Sequence, residues 1–261
     1  MSAPRALVAR EEGGVAVVTI NRPEARNALD GDTLDAVAAA FAEAEHDPQV
    51  RCAILVGAGD RAFAAGADIK AMADADPSSA DVLVGHAQRL ADRLEASRLP
   101  VIAAVHGFAL GGGLELALAC DFIFAARTAT LGFPEVGLGV IPGMGGTQRL
   151  ARRIGVPRAR ELIYRGALID AEAALRLGFV NEVTEPDDLM TRTRAVATEI
   201  ASRAPLAIAA AKQALRRGAD GTLDGAVALE RHLFASLFAT QDQKEGMRAF
   251  LEKRAPVWTG T

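Results

Sequence analysis

Short apolar runs alternate with longer amphipathic stretches through the first half of the chain. Val15–Ile20 reads Val-Ala-Val-Val-Thr-Ile, a buried-strand pattern closed by the turn signal Asn21-Arg22-Pro23. Residues 32–45 place Leu34, Val37, Ala38 and Phe41 on one face, which predicts a helix. Residues 52–56 predict the next strand, broken by Gly57-Ala58-Gly59. A helix is expected over 78–97, and a strand over Val101–Val105 between Pro100 and Gly107. A helix entering near Gly112 and a strand over 121–125 complete this half.

After Pro142 the pattern becomes mostly helical up to Arg254, with only residues 179–183 suggesting a strand. Leu223, Val227, Leu233, Phe234, Leu237 and Phe238 mark one long amphipathic helix. Its apolar stripe suits either packing on its own core or a subunit contact. Asp242 followed by Glu245 is expected to open the last helix as a capping pair. Repeated strand–helix–strand order followed by a helical tail implies an α/β core with a helical C-terminal part. No sequence repeat and no low-complexity linker interrupts the 261 residues, a length for one large domain or a core with a small appendage.

Charge narrows the partners. A net charge of −4 and 5% aromatics argue against a nucleic-acid surface or a general attraction to anionic membranes. No apolar run reaches the roughly 18 residues of a membrane span. The first ten residues lack a signal-peptide pattern, so a cytoplasmic location is expected. Cys52 and Cys120 lie in apolar segments and read as reduced core thiols. Histidines 46, 86, 106 and 232 lack ligand spacing, so no metal is expected. Arg149, Arg152, Arg153, Arg158 and Arg160 form the densest basic cluster and read as a solvated or subunit-contact surface.

The chemistry concentrates between Phe63 and Gln148. Residues 101–119 read as a strand, a glycine-rich turn and a helix, which leaves free N–H groups at a helix start. Gly107-Phe-Ala-Leu-Gly-Gly-Gly113 does not match G-x-G-x-x-G, and no P-loop pattern exists, so nucleotide cradles are disfavoured. No G-x-S-x-G elbow is present either. Glu115 stands alone in the apolar run Gly-Gly-Leu-Glu-Leu-Ala-Leu-Ala; an ionised acid buried there costs several kcal/mol unless paired or proton-shared. Glu135 follows Pro134 and is expected on a loop. Each acid also has a plain reading, as an exposed helix residue or a surface loop acid.

The set Phe63-Ala-Ala-Gly-Ala-Asp-Ile-Lys70, Gly107-Phe-Ala-Leu-Gly-Gly-Gly-Leu-Glu115, Phe133-Pro-Glu135 and Pro142-Gly-Met-Gly-Gly-Thr-Gln148 resembles the enoyl-CoA hydratase/isomerase (crotonase) superfamily. The resemblance implies a spiral of ββα units over residues 1–200, a helical trimerisation region over 201–261, and a homotrimer or homohexamer. It implies that Glu115 and Glu135, twenty residues apart as in hydratases of the family, are catalytic, with Glu115 the base and Glu135 the acid. Ala67 and Gly112 would supply the two oxyanion N–H groups. Ala25, Arg26, Ala65, Asp68, Ile69, Lys70, Gly111, Phe133 and Pro134 would line the acyl-CoA, and Phe250 and Lys253 would reach a neighbouring subunit's CoA. Coenzyme A is then part of the substrate and no other cofactor is implied.

The resemblance implies reversible syn addition of water to a 2-enoyl-CoA. Isomerisation, 3-methylglutaconyl-CoA hydration or a non-catalytic, RNA-binding role are the alternatives. Three departures stand out. Glu24 occupies the usual basic position after Arg-Pro, with Arg26 two residues on. His106 replaces a common Asn, and Phe133 replaces a common Gln near Glu135.

Overall fold

The computed structural model describes residues 3–261. The chain opens with an antiparallel hairpin, β1 (Ala6–Glu11) and β2 (Val15–Ile20), and crosses by helix α1 (Gly31–His46) to β3 (Cys52–Gly57), parallel to β2. β4 (Ala62–Ala64) then leaves for a second sheet, and α2 (Ile69–Met72) and α3 (Pro77–Ala96) return the chain. The same turn recurs. β5 (Val101–Val105) joins the first sheet, β6 (Phe108–Leu110) joins the second, and α4 (Gly112–Leu118) follows. β7 (Phe122–Ala126) and β8 (Thr130–Gly132) repeat the pair.

α5 (Gly146–Ile154), α6 (Val156–Tyr164), β9 (Leu168–Asp170), α7 (Ala171–Leu177), β10 (Glu182–Thr184) and α8 (Leu189–Ala201) complete the core. Helices α9 (Pro205–Gly218), α10 (Leu223–Leu237) and α11 (Gln241–Glu252) form the C-terminal part. The sheets run β1-β2-β3-β5-β7-β10 and β4-β6-β8-β9. This is the α/β spiral of ββα units.

Parallel strands need cover on both faces, which explains their near-continuous apolar runs. β3 and β5 are buried along their whole length. One face joins the main core with Leu34, Val37, Phe41, Leu94 and Leu114; the other packs Ile54, Ile102 and Phe124 against Leu189, Ala197 and Ala201 of α8. Both cysteines are free and buried, with thiols pushed up to about 12 by desolvation.

Two expectations change. The strand expected over residues 179–183 is shifted to Glu182–Thr184; Phe179 and Val180 are buried, and their N–H groups turn back onto Ala174 O before the ladder starts. Their apolarity serves the core rather than a strand. The last helix is capped by Thr240, whose Oγ1 accepts from Gln243 N–H at 3.1 Å, not by Asp242. Asp242 is buried and its carboxylate accepts from the Thr259 and Gly260 N–H groups, because the returning C-terminal tail needs an acceptor there.

α9 is fixed by Lys212, whose Nζ donates to Leu94 O, Leu99 O and Asp121 Oδ2 at 2.7–2.8 Å. α10 packs on α9 and buries no residue completely; Leu223, Val227 and Phe234 remain more than half exposed. Its apolar stripe is therefore not covered by the chain's own core. No helix among the described residues is long and apolar enough to cross a membrane.

Candidate active site

Glu115 lies one turn into α4 and is only 2% exposed. The helix starts where it does because Gly111 adopts φ 50°, ψ −124°, a conformation closed to side chains. A Cβ on Gly111 would also lie 2.8 Å from Glu135 Oε1, so this one glycine admits both the turn and the second acid. Glu135 itself opens a single 3-10 turn, Glu135–Leu138, after Pro134. The expected loop position thus becomes a short, defined turn.

The environments of the two acids differ. Glu115 Oε1 accepts the Gly146 N–H at 2.6 Å. Burial is the largest influence on its pKa and raises it to about 7, with the Glu135 charge acting in the same direction. The N–H groups of Gly146 and Met144 and the Arg149 guanidinium oppose that rise. Burial also raises Glu135, whose two oxygens are buried without a hydrogen-bond partner among the described residues. Its own backbone N–H offsets the rise only in part.

Backbone donors converge beside these acids. The loop 64–68 is held by Leu29 N–H to Gly66 O at 2.8 Å and Asp68 N–H to Leu29 O at 3.0 Å. This leaves the Ala67 N–H with no backbone acceptor among the described residues. Gly112 is the first residue of α4, where N–H groups lack intrahelical partners. A Cβ built on Gly112 would sit 3.7 Å from Ala67 N, and one on Gly66 would sit 4.0 Å from Gly112 N. Two free N–H groups from separate loops therefore share one small region, beside the start of a helix dipole.

Of the other expected site residues, Ala65 is tied to the turn before it by its N–H to Arg26 O at 3.0 Å. Arg26 is exposed in a left-handed conformation, its guanidinium 6.0 Å from the Phe108 ring centre, and Ala25 precedes it. Asp68 caps α2 through Lys70 N–H and pairs with Arg22 at 2.9 Å; Ile69 and Lys70 are exposed. Phe133 is buried, and a Cβ on Gly146 would meet its ring at 2.8 Å and Glu115 Oε1 at 2.9 Å. The phenyl ring thus packs beside Glu115 and contributes to its desolvation.

Phe250 and Lys253 lie on α11 and at its end, and no hydrogen bond or ion pair among the described residues links them to the glutamates. His106 sits between β5 and β6 as a half-buried residue, with Nε2 unpartnered and its pKa lowered chiefly by burial.

The sequence reading missed three contributors. Gly146 and Met144 lie in the quoted Pro142–Gln148 segment, but only the fold shows that their N–H groups serve Glu115. The basic cluster containing Arg149 reads in the sequence as a solvated or subunit-contact surface. Arg149 is instead 15% exposed, gripping Glu95 of α3 and Met144 O. Arg153 likewise donates to Leu118 O and Cys120 O at 2.7 Å. A cluster of arginines carries no sign of which members point inward.

A carboxyl held near neutrality has two measurable consequences. With Glu115 as base, kcat/KM is expected to fall as pH drops through about 7. A flat profile from about pH 6 to 8 would sink that role. Stability runs the other way. The folded state holds the Glu115 proton more tightly than the unfolded chain, so stability is lost as pH rises from 4.5 towards about 7. Glu115→Gln is expected to be more stable than the parent at pH 8, by on the order of 1–3 kcal/mol, with the difference vanishing near pH 4 in paired thermal melts.

Buried carboxyls with raised pKa beside paired backbone donors suit the movement of a proton next to a carbonyl whose oxygen gains charge. The comparisons with known proteins agree with that chemistry. The sequence model of the enoyl-CoA hydratase/isomerase family matches residues 10–261. The chain is 47% identical over 248 residues to the short-chain-enoyl-CoA hydratase of Clostridium acetobutylicum, covering 95% of each chain. It is 46% identical to the crotonyl-CoA hydratase of Syntrophomonas wolfei, again over 95% of each. The crystal structure of the enoyl-CoA hydratase from Bacillus anthracis superposes with a TM-score of 0.95 at 38% identity, over 98% of this chain and 100% of that one. With its ββα spiral, its buried Glu115 beside the half-buried Glu135 and its paired N–H donors, this chain belongs to the enoyl-CoA hydratase/isomerase family.

Proposed function

We propose that this chain is an enoyl-CoA hydratase, adding water reversibly across the double bond of a 2-enoyl-CoA to give the 3-hydroxyacyl-CoA. The observation that carries the reading is the pair of glutamates with buried carboxyl oxygens, both with raised pKa, beside two backbone N–H groups that lack acceptors among the described residues. The thioester oxygen accepts from Ala67 and Gly112 N–H, which stabilise it as negative charge develops. Glu115, which has backbone donors to support its anion, takes a proton from water as the oxygen bonds to the β-carbon. Glu135, whose anion is favoured by no donor beyond its own backbone N–H, delivers its proton to the α-carbon. Water addition leaves the thioester intact, and the glutamates recover their protonation states by exchanging one proton with each other or with solvent. The two acids titrate as a coupled pair, so the roles belong to the pair before either residue.

Exposed Lys70 and Arg26 suit the CoA phosphates, with Ala25, Ala65, Ile69 and Pro134 along the thioester's path. Coenzyme A enters as part of the substrate, and the carboxyls and backbone donors require no further cofactor. The exposed apolar side chains of α10 and α11, including Phe234, Phe250 and Leu251, support residues 201–261 as the contact region of a homotrimer or homohexamer. In such an assembly Phe250 and Lys253 act at a neighbour's CoA. The cytoplasm is the compartment this reading implies.

Loss of the conjugated-enoyl absorbance of crotonyl-CoA tests the activity. Rapid loss with formation of 3-hydroxybutyryl-CoA is the expected result. A protein that binds CoA thioesters yet leaves 2-enoyl-CoA unchanged, while shifting the double bond of a 3-enoyl-CoA, would be an isomerase instead.

A further inference from the structure

We infer that Arg149, held by Glu95, is a positioning residue that aims the Met144–Gly146 turn at Glu115. The turn supplies the donors that reach the Glu115 carboxyl, the Met144 N–H and the Gly146 N–H, and it is the Gly146 N–H that meets Oε1 at 2.6 Å. Nothing in the turn's own sequence fixes that N–H, since two consecutive glycines leave the backbone free to rotate. The side chain of Arg149 supplies the missing constraint. Its Nη1 donates to Met144 O at 2.6 Å, and its guanidinium carbon would lie 3.2 Å from a Cβ on Gly145. Gly145 has φ 103°, so the guanidinium occupies the space a side chain would need. The Gly145 carbonyl in turn accepts the Arg149 backbone N–H at 2.9 Å.

Arg149 is itself fixed from a different element. Glu95, in the last turn of α3, receives Nε at 2.7 Å and Nη2 at 2.9 Å, a bidentate pair that leaves the planar fork one orientation. Asp92, one turn earlier, lies 3.4 Å from Nη2. The chain of contacts is then Glu95 to Arg149, Arg149 to the 144–146 turn, and the turn to the Glu115 carboxylate. Each step is a hydrogen bond or a close packing contact, and no step touches substrate.

Arg149 also acts through its charge. Nearest along the elements around Glu115 are Glu135 on the 3-10 turn, Arg149 and Arg153 on α5, Asp92 and Glu95 on α3, and Asp121 after α4. Arg152 of α5 pairs outward with Asp220, and on α3 Arg93 pairs with Glu45, His86 faces Asp35, and Asp81 and Arg89 lie exposed in earlier turns. Glu135 and Arg149 bear on Glu115 directly, with opposite signs. Arg153 is turned to the far end of α4, where it binds Leu118 O and Cys120 O, and Asp121 is engaged by Lys212 and the Val101 N–H. Glu95 neutralises part of the guanidinium charge, so it tunes as well as holds.

The inference rests on the hydratase reading, and one set of kinetic measurements separates their failures. Arg149→Gln, Arg149→Lys and Glu95→Gln are assayed with crotonyl-CoA across pH, alongside thermal melts. Arg149→Gln is expected to lower kcat by about 10–100-fold with KM within about threefold, the split expected when ground-state binding is untouched. The acidic limb of its kcat/KM profile moves up by about one pH unit, since the Glu115 anion loses a cation and an aimed donor. Glu95→Gln moves that limb down, because the guanidinium charge is less neutralised. Arg149→Lys keeps the charge but not the fork, so the limb stays near the parent's while kcat remains reduced.

Limbs that shift in opposite directions in folded Arg149→Gln and Glu95→Gln support the inference. Folded variants with unmoved limbs, or limbs moved the same way, would overturn it and leave Arg149 a purely structural residue. Should Arg149→Gln fail to fold, the direction of the Glu95→Gln limb decides. An inert parent protein would instead remove the hydratase reading on which the inference stands.

Discussion

Glutamine at position 115 or 135 is expected to lower the hydration kcat by about 10²–10⁴-fold, the range of a positioned general acid or base. Glutamine keeps the side chain's size and its ability to accept the Gly146 N–H, so the 2.6 Å contact to Glu115 survives in altered form. What disappears is a proton that can be gained and lost near neutrality. The two losses should not be additive. The acids share one proton inventory, so the double variant is expected to be little worse than the more damaged single one. The pH profiles should differ as well. Glu115→Gln loses the acidic limb near 7 that the parent owes to that carboxyl. The Glu135→Gln protein keeps an acidic limb but at lower pH, because removing the Glu135 charge removes one influence that raises Glu115. Single variants retaining more than about a tenth of the parent's kcat would place the proton transfers on other groups.

The second large effect concerns a backbone atom. Gly112→Pro is expected to reduce kcat by about 10²–10³-fold, the cost of one oxyanion donor. Proline is best tolerated at the first helical position, which is where Gly112 stands in α4, so the helix should form. The substitution removes one of the two N–H groups, at a position where a Cβ would lie 3.7 Å from Ala67 N. Circular dichroism and the melting temperature distinguish loss of the donor from loss of the fold. Gly112→Ala is the companion. Its Cβ would meet only ordinary contacts, at 3.7 Å from Ala67 N and 3.8 Å from Leu29 Cδ1, so it keeps the donor and most of the activity. Equal damage from alanine and proline would mean that space, and not the N–H, is what Gly112 provides.

Most of the long elements were legible in the sequence because each buries enough of itself to leave a period; β1, as long as β2 but with no fully buried residue, was not. β2, β3 and β5 are apolar throughout since parallel strands are covered on both faces, and α1 shows its stripe since one side meets the core. The strands β4, β6, β8 and β9, of three residues each, were not seen. Three residues are too few to establish alternation, and these segments are strands only because a neighbour in the second sheet supplies their hydrogen bonds. The ββα repeat came only from the family resemblance for the same reason: it is a repeat of hydrogen-bonding partners, with no repeat of residues behind it.

At the site, the sequence by itself determined the chemical inventory: two acids in apolar settings, glycines at the turns, and a loop–helix start that leaves N–H groups unpaired. Those properties are local, set by side-chain type and by what a helix cannot satisfy at its first turn. Tertiary structure alone decided that these parts meet. It brought Ala67 beside Gly112 from a separate loop, set Glu135 against Gly111, and raised both carboxyls by excluding water from around them. It also turned Arg149 inward onto Glu95 and Met144, while Arg152 of the same helix stayed half exposed beside Asp220. Desolvation and aim depend on everything packed around a group, so they belong to the fold and not to any stretch of the chain.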